Sequence, residues 1–301
     1  NETVTVEVSA TSDGTLSATV STSASITNSY AAAPVVVDTD ASPLIEKSVS
    51  GVGFGTKEFD FEVEPDAVTY SDGTTGTSPA PEQSTASLSF DAAGSKSVDF
   101  GDITFVKAGT YTYTVRETTP SGDGWTCDTA DKSVSVMVQD DGKGALRLVG
   151  ISMATIDNSY AAAGSFDTAS ASAVTKTVAG EGFVPATFGF EITPGTATYA
   201  DGSASGISPA TSSPTASLTF SSAGAQTVDF GSIAFAKAGT YTYTVQETTD
   251  LGGAWSCDTA SKTLTLTVTD DHKGSFDVSF SNVTIANSYG FDSAVFDTSL
   301  S

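Results

Sequence analysis

Thr110-Tyr111-Thr112-Tyr113-Thr114-Val115-Arg116-Glu117 returns 130 positions later as Thr240-Tyr241-Thr242-Tyr243-Thr244-Val245-Gln246-Glu247. Alternating large and polar side chains mark a half-buried β-strand, because successive residues point to opposite faces of a sheet. Tyr111, Tyr113, Val115 and Glu117 therefore share one face, and Thr112, Thr114 and Arg116 share the other. The glutamate continues the inward, aromatic row. A carboxylate there is costly unless it is protonated, paired or hydrogen-bonded. The sequence sets this problem twice, so it must supply the glutamate's partners twice.

Working outward, the repetition extends over most of the chain. Lys47 to Lys176 and Asn158 to Asn287 are each 129 positions apart. Val98-Asp99-Phe100-Gly101 matches Val228-Asp229-Phe230-Gly231, and Lys107-Ala108-Gly109 matches Lys237-Ala238-Gly239. Each copy reads as short strands separated by turn chemistry such as Ser71-Asp72-Gly73 and Asp140-Asp141-Gly142. Thr/Ser/Val/Gly-rich segments of this period predict an all-β class and a β-sandwich. The units run 33–160 and 161–289. Residues 1–32 match the last third of a unit, with Asn28-Ser29-Tyr30 answering Asn158-Ser159-Tyr160. Residues 290–301 open another, with Phe296-Asp297-Thr298 answering Phe166-Asp167-Thr168. The expectation is an excerpt from a longer tandem array in a mature, exported chain.

Composition narrows the function classes. Charged residues are only 16% of the chain, and 36 acidic against 12 basic residues give a net charge of −24. That balance opposes nucleic acid and anionic lipid, which need Lys and Arg to neutralise phosphate. No apolar run approaches the ~20 residues of a membrane span. Cys127 and Cys257 occupy equivalent sites of successive units, too far apart to bridge. Each is expected to be a small buried residue beside Trp125 or Trp255. His272 falls in a turn, and a single turn histidine builds no Ser-His-Asp triad. Asp-Gly pairs such as Asp72-Gly73 lack the alternating ligand run of a calcium loop, so no metal and no cofactor is expected.

The glutamate's partners come from the two ends of each unit. Ile45, Lys47 and Val49 share a strand face, as do Val174, Lys176 and Val178. Ile156, Asn158 and Tyr160 share another, as do Val283, Ile285, Asn287 and Tyr289. The remaining lysines sit in turns (Lys107, Lys143, Lys237, Lys273) or at strand starts expected to be open to solvent (Lys132, Lys262). Each unit thus aims one Lys, one Glu and one Asn inward. Burial disfavours charge, so a desolvated lysine tends to lose its proton and a desolvated glutamate to gain one. A neutral amine is a nucleophile, and an Asn side-chain carbonyl is an electrophile of low reactivity. A carboxyl that holds the amide oxygen and shuttles a proton would let them form an isopeptide bond with loss of ammonia. A hydrogen-bonded polar trio without covalent change satisfies the same spacing.

The order of Lys near the first strand, then Tyr-Thr-Tyr-Thr-Val-x-Glu, then Asn-Ser-Tyr closing the unit resembles the Gram-positive pilin isopeptide-linkage domain of the streptococcal backbone-pilin type. The resemblance covers both full units. It implies immunoglobulin-like sandwiches in a rod-like array, with first and last strands side by side. It also implies that Lys47 joins Asn158 with Glu117 assisting, and that Lys176 joins Asn287 with Glu247 assisting. Asn28 lacks both partners and is expected to stay uncoupled. The Cys127 and Cys257 positions depart from the family, where an aromatic is expected. The implied function is the stalk of a fimbrial or adhesin protein, extracellular and attached to the cell surface or wall. Its partners would be neighbouring repeats or subunits of one fibre, with a host receptor or glycan as a further candidate. A second reading is a glycan-binding sandwich using Trp125 and Trp255 beside Ser121-Gly122-Asp123-Gly124. A turnover enzyme is not expected.

Overall fold

A computed structural model describes residues 2–290 apart from 21 and 23, and among these there is no helix. The Phe296-Asp297-Thr298 match, and the opening of a further repeat beyond Gly290, lie outside the described residues. In the first repeat one sheet runs in the order 146–152, 132–140, 109–117, 57–70 and 75–77, with 85–90 also paired to 57–70. The facing sheet runs 125–126, 154–160, 45–50 and 94–97. The second repeat repeats both orders with its own strands. Side chains of the two sheets meet in one core per repeat, the first drawn from Val37 to Tyr160 and the second from Phe166 to Ile285. Each repeat is therefore a β-sandwich.

The strand Gly109–Glu117 alternates as its sequence dictates. Gly109, Tyr111, Tyr113, Val115 and Glu117 are buried, and the residues between them are partly or fully exposed. Tyr111 and Tyr113 point their rings into the core yet keep their hydroxyls satisfied, donating to the carbonyls of Lys107 and Pro79. Large amphipathic rings with one polar end can fill a core only under this condition.

The strand that carries the lysine lies parallel beside the last strand of each repeat; it is the second strand, not the first that the resemblance implies, because Val35–Asp38 and Gly164–Asp167 precede it. Ile45–Ser50 pairs with Ala154–Tyr160 so that Lys47 stands opposite Ile156 and Val49 opposite Asn158. In the second repeat Lys176 stands opposite Ile285 and Val178 opposite Asn287. Because the side-chain period is two, this register puts Lys and Asn on the same inward face, one step apart. Gly51 follows the lysine strand at a φ of 110°, where a Cβ would lie 2.3 Å from the carbonyl oxygen of Tyr160. Gly180 does the same against Tyr289. Only glycine permits the two strand ends to pass so closely.

The two full repeats meet at Tyr160, and the segment 1–32 meets the first repeat in the same way at Tyr30. Tyr160 donates its hydroxyl to Asp270 at 2.6 Å and accepts from the Gly274 N–H, while the Ala161 N–H donates to the Gly124 carbonyl across the same boundary. In the segment before the first repeat, Tyr30 donates to Asp140 at 2.9 Å. Burial and Asp270 push the Tyr160 phenol up to about 12, so it remains a donor at physiological pH. His272 sits in the turn at a φ of 61° and sets its Nδ1 against the Gly53 carbonyl of the preceding repeat. Tyr160→Phe is expected to loosen the junction by about 1.5–3 kcal/mol, the size of one hydrogen bond to a charged group. Small-angle X-ray scattering should then show a broader spread of inter-repeat distances while both repeats stay folded; an unchanged profile would refute the coupling.

Candidate functional site

The polar trio spans the two layers of each sandwich. Glu117 comes from one sheet, at the last position of Gly109–Glu117, and Lys47 and Asn158 come from the facing sheet. All three side chains are shut away from solvent, at 0% exposure for Lys47, 1% for Glu117 and 3% for Asn158. Lys47 Nζ lies 2.7 Å from Glu117 Oε2, and Asn158 Nδ2 donates to Glu117 Oε1 at 2.7 Å. In the second repeat Lys176 Nζ lies 2.5 Å from Glu247 Oε2, and Asn287 Nδ2 donates to Glu247 Oε1 at 2.7 Å. One carboxylate thus presents one oxygen to each nitrogen.

Electrostatics in this setting work against a charged lysine. Burial pulls Lys47 and Lys176 below the ordinary lysine range, and the adjoining glutamate opposes that shift. The faces of Phe59 and Phe188, each 4.8 Å from its lysine nitrogen, are the other close neighbours. A buried ion pair seldom repays the cost of desolvating both members, so it is weak as a stabilising device.

The amide oxygen of the asparagine has a different partner from the one the sequence predicts. The glutamate is the expected partner; instead the backbone N–H of Asp128 donates to Asn158 Oδ1 at 2.9 Å, and that of Asp258 to Asn287 Oδ1 at 2.8 Å. Both oxygens of the carboxylate are already occupied by nitrogens, which is the physical reason. Lys132 and Lys262, expected to point into solvent, also differ. They are half-buried and ion-paired, Lys132 to Asp128 at 2.7 Å and Lys262 to Asp258 at 3.0 Å, because the loop turns back beneath them.

Nearby features sort themselves by burial. Trp125 is buried and packs with Phe54, Phe59 and Tyr160, with ring centroids 4.8–5.2 Å away. Trp255 is half-buried in the matching cluster of Phe183, Phe188 and Tyr289. A stacking platform for sugar needs an open ring face, and Trp125 offers none. Cys127 and Cys257 are free thiols, half-buried against the core. Burial pushes the Cys127 thiol up to about 11, which keeps it protonated and unreactive. Among the described residues no group of three or more His, Cys, Asp or Glu could hold a metal ion, and no helix is long and apolar enough to cross a membrane.

The family model described as FctA, a Spy0128-like isopeptide containing domain, matches residues 44–161 and again 172–293. Each match contains one complete Lys–Glu–Asn trio. Among solved structures, the major pilin protein T3.2 of Streptococcus pyogenes is 16% identical, with 86% of this chain and 98% of that chain covered at a TM-score of 0.35. A second major pilin protein of Streptococcus pyogenes, T-13, is 16% identical over 87% of this chain and 100% of its own, at a TM-score of 0.32. No curated protein matches the chain significantly.

Proposed function

The chain belongs to the family of FctA, Spy0128-like isopeptide containing domains, and from that premise we propose that each repeat locks itself with one Lys–Asn isopeptide bond, Lys47 to Asn158 and Lys176 to Asn287. The repeats at 33–160 and 161–289 then act as links in the stalk of a cell-surface fibre. Its partners are neighbouring repeats or subunits of the same fibre. The observation that carries this reading is the shared carboxylate, with one oxygen on each reacting nitrogen at 2.5–2.7 Å, in both repeats.

The chemistry follows from that sharing. A proton passes from the Lys47 ammonium to Glu117 Oε2 and leaves a neutral amine beside a neutral carboxyl. The amine attacks Asn158 Cγ, the Cγ–Nζ bond forms, and the carbonyl π pair moves onto Oδ1. The Glu117 carboxyl then delivers that proton to Nδ2 and takes one back from Nζ. Collapse re-forms the carbonyl, breaks the Cγ–Nδ2 bond and releases ammonia. An amine and a primary amide become a secondary amide and ammonia, and Glu117 ends as it began the attack. General acid–base help of this kind contributes roughly 10²–10⁴-fold to a rate. The product stays in the core, so the protein acts once per repeat and has no turnover.

The test is the intact mass of the folded chain. It should fall short of the mass calculated from the sequence by two ammonia molecules, and peptides linking Lys47 to Asn158 and Lys176 to Asn287 should be recovered after digestion. A full sequence mass overturns the cross-linking reading and leaves an ordinary buried polar trio.

A further inference from the structure

We infer that the backbone N–H of Asp128, and that of Asp258 in the second repeat, is the oxyanion donor of the cross-linking step, held in place by an ion-paired clasp to Lys132 or Lys262. This inference rests on the cross-linking reading given above. It assigns a catalytic role to a loop whose only notable residues, by sequence, are a cysteine and a tryptophan.

During attack the negative charge develops on Asn158 Oδ1. Asn158 is 3% exposed, so water cannot meet that charge, and both oxygens of Glu117 are engaged with nitrogens. Among the described residues the donor to this oxygen is the Asp128 N–H, at 2.9 Å, and its counterpart at Asp258 lies at 2.8 Å. A preorganised donor aimed at a developing oxyanion in a dry site needs no reorganisation at the moment of reaction. Removing one such donor typically costs about 10²–10³-fold in rate.

The donor's position is secured from the loop side. Asp128 turns its carboxylate away from the site and onto Lys132 at 2.7 Å, and it also accepts from the Ala130 N–H at 3.2 Å. One residue earlier, the Cys127 N–H donates to Ser121 Oγ at 2.9 Å. The second repeat keeps Asp258 on Lys262 at 3.0 Å. The sequence Asp-Thr-Ala-x-Lys occurs in both copies, Asp128 to Lys132 and Asp258 to Lys262. The side chain therefore anchors the loop, and the backbone faces the chemistry.

The experiment follows cross-linking in time after cell-free synthesis of the full chain, with linked peptides from each repeat quantified by mass spectrometry. The second repeat serves as the clock inside every molecule. Asp128→Pro deletes the N–H, and the Lys47–Asn158 link should then form about 10²–10³-fold more slowly while Lys176–Asn287 forms at the wild-type rate. Lys132→Gln keeps the N–H but frees the loop; it should slow the first repeat alone, and Lys132→Arg should restore it. If Asp128→Pro prevents the first repeat from folding, the Lys132 pair decides. Wild-type kinetics in either folded Asp128→Pro or Lys132→Gln, or failure of Lys132→Arg to rescue, overturns the assignment. Absence of both links from the wild-type chain would instead sink the cross-linking reading itself.

Discussion

Glu117→Ala is expected to give a chain that falls short of its sequence mass by one ammonia instead of two and whose first repeat is the least stable part of the molecule. Two effects combine. Without the carboxyl no base takes the proton from Lys47 and none delivers one to Asn158, so the cross-link is not made. Lys47, at 0% exposure, is then left without its counter-ion. Removing one partner of a buried pair costs about 3–5 kcal/mol, because the other charge stays desolvated. Loss of the link adds a similar amount (about 4–5 kcal/mol by the loop-entropy estimate). Glu117→Gln should also fail to cross-link, since an amide relays no proton, but it keeps hydrogen-bonding atoms in place and so should unfold at a higher temperature than Glu117→Ala.

The pH dependence of the Glu117→Ala variant follows from the lysine. Burial holds Lys47 below its ordinary value of 10.5, and the glutamate that opposed this is gone. The unfolded chain therefore binds more protons than the folded one between the depressed value and 10.5. Stability must rise with pH across that window. On the cross-linking reading the wild-type nitrogen is an amide and does not titrate, so this slope should be absent. Calorimetry on both proteins, with the second repeat as reference, checks the two statements together. An ammonia deficit of two in Glu117→Ala would remove the glutamate from the mechanism.

Which parts of this site are legible in the sequence depends on what carries them. Side-chain alternation places Glu117 on the same face as Tyr111 and Tyr113, and the strand Gly109–Glu117 has that burial pattern. The same period puts Lys47 with Ile45 and Val49, and all three are buried. The parallel register that brings Lys47 beside Asn158 is a long-range property, and only the resemblance to a family suggests it. The Asp128 N–H is out of reach because a backbone donor has no residue type. Its one trace is the recurrence of Asp-Thr-Ala-x-Lys after each cysteine, where the thiol is the more conspicuous group. Lys132 misleads for a related reason: a lysine at a strand start is usually solvated, and nothing local reveals that the preceding loop folds its own aspartate beneath it.

Asn158→Ala isolates the mechanical consequence, since it removes the electrophile while leaving Lys47 and Glu117 paired. Lys47 and Asn158 are 111 positions apart, so the link closes a loop that holds almost the whole repeat. Its loss should lower stability by about 4–5 kcal/mol and the melting temperature of the first repeat by roughly 15–20 °C. Under force the difference is qualitative. Tension passes Val35–Asp38, reaches Ile45–Ser50 and leaves at Ala154–Tyr160, and the last two are parallel strands whose hydrogen bonds are loaded in shear. On the cross-linking reading, the wild-type load crosses from Lys47 to Asn158 through covalent bonds, and the residues between them carry none of it. In Asn158→Ala those residues are exposed to the load, and the first repeat should open in one step that releases roughly 370–400 Å of chain. The second repeat, still linked, should stay silent in the same trace. An opening step of that length in the wild type would mean that the fold alone bears the tension, and the stalk would then owe its strength to hydrogen bonds rather than to the buried trio.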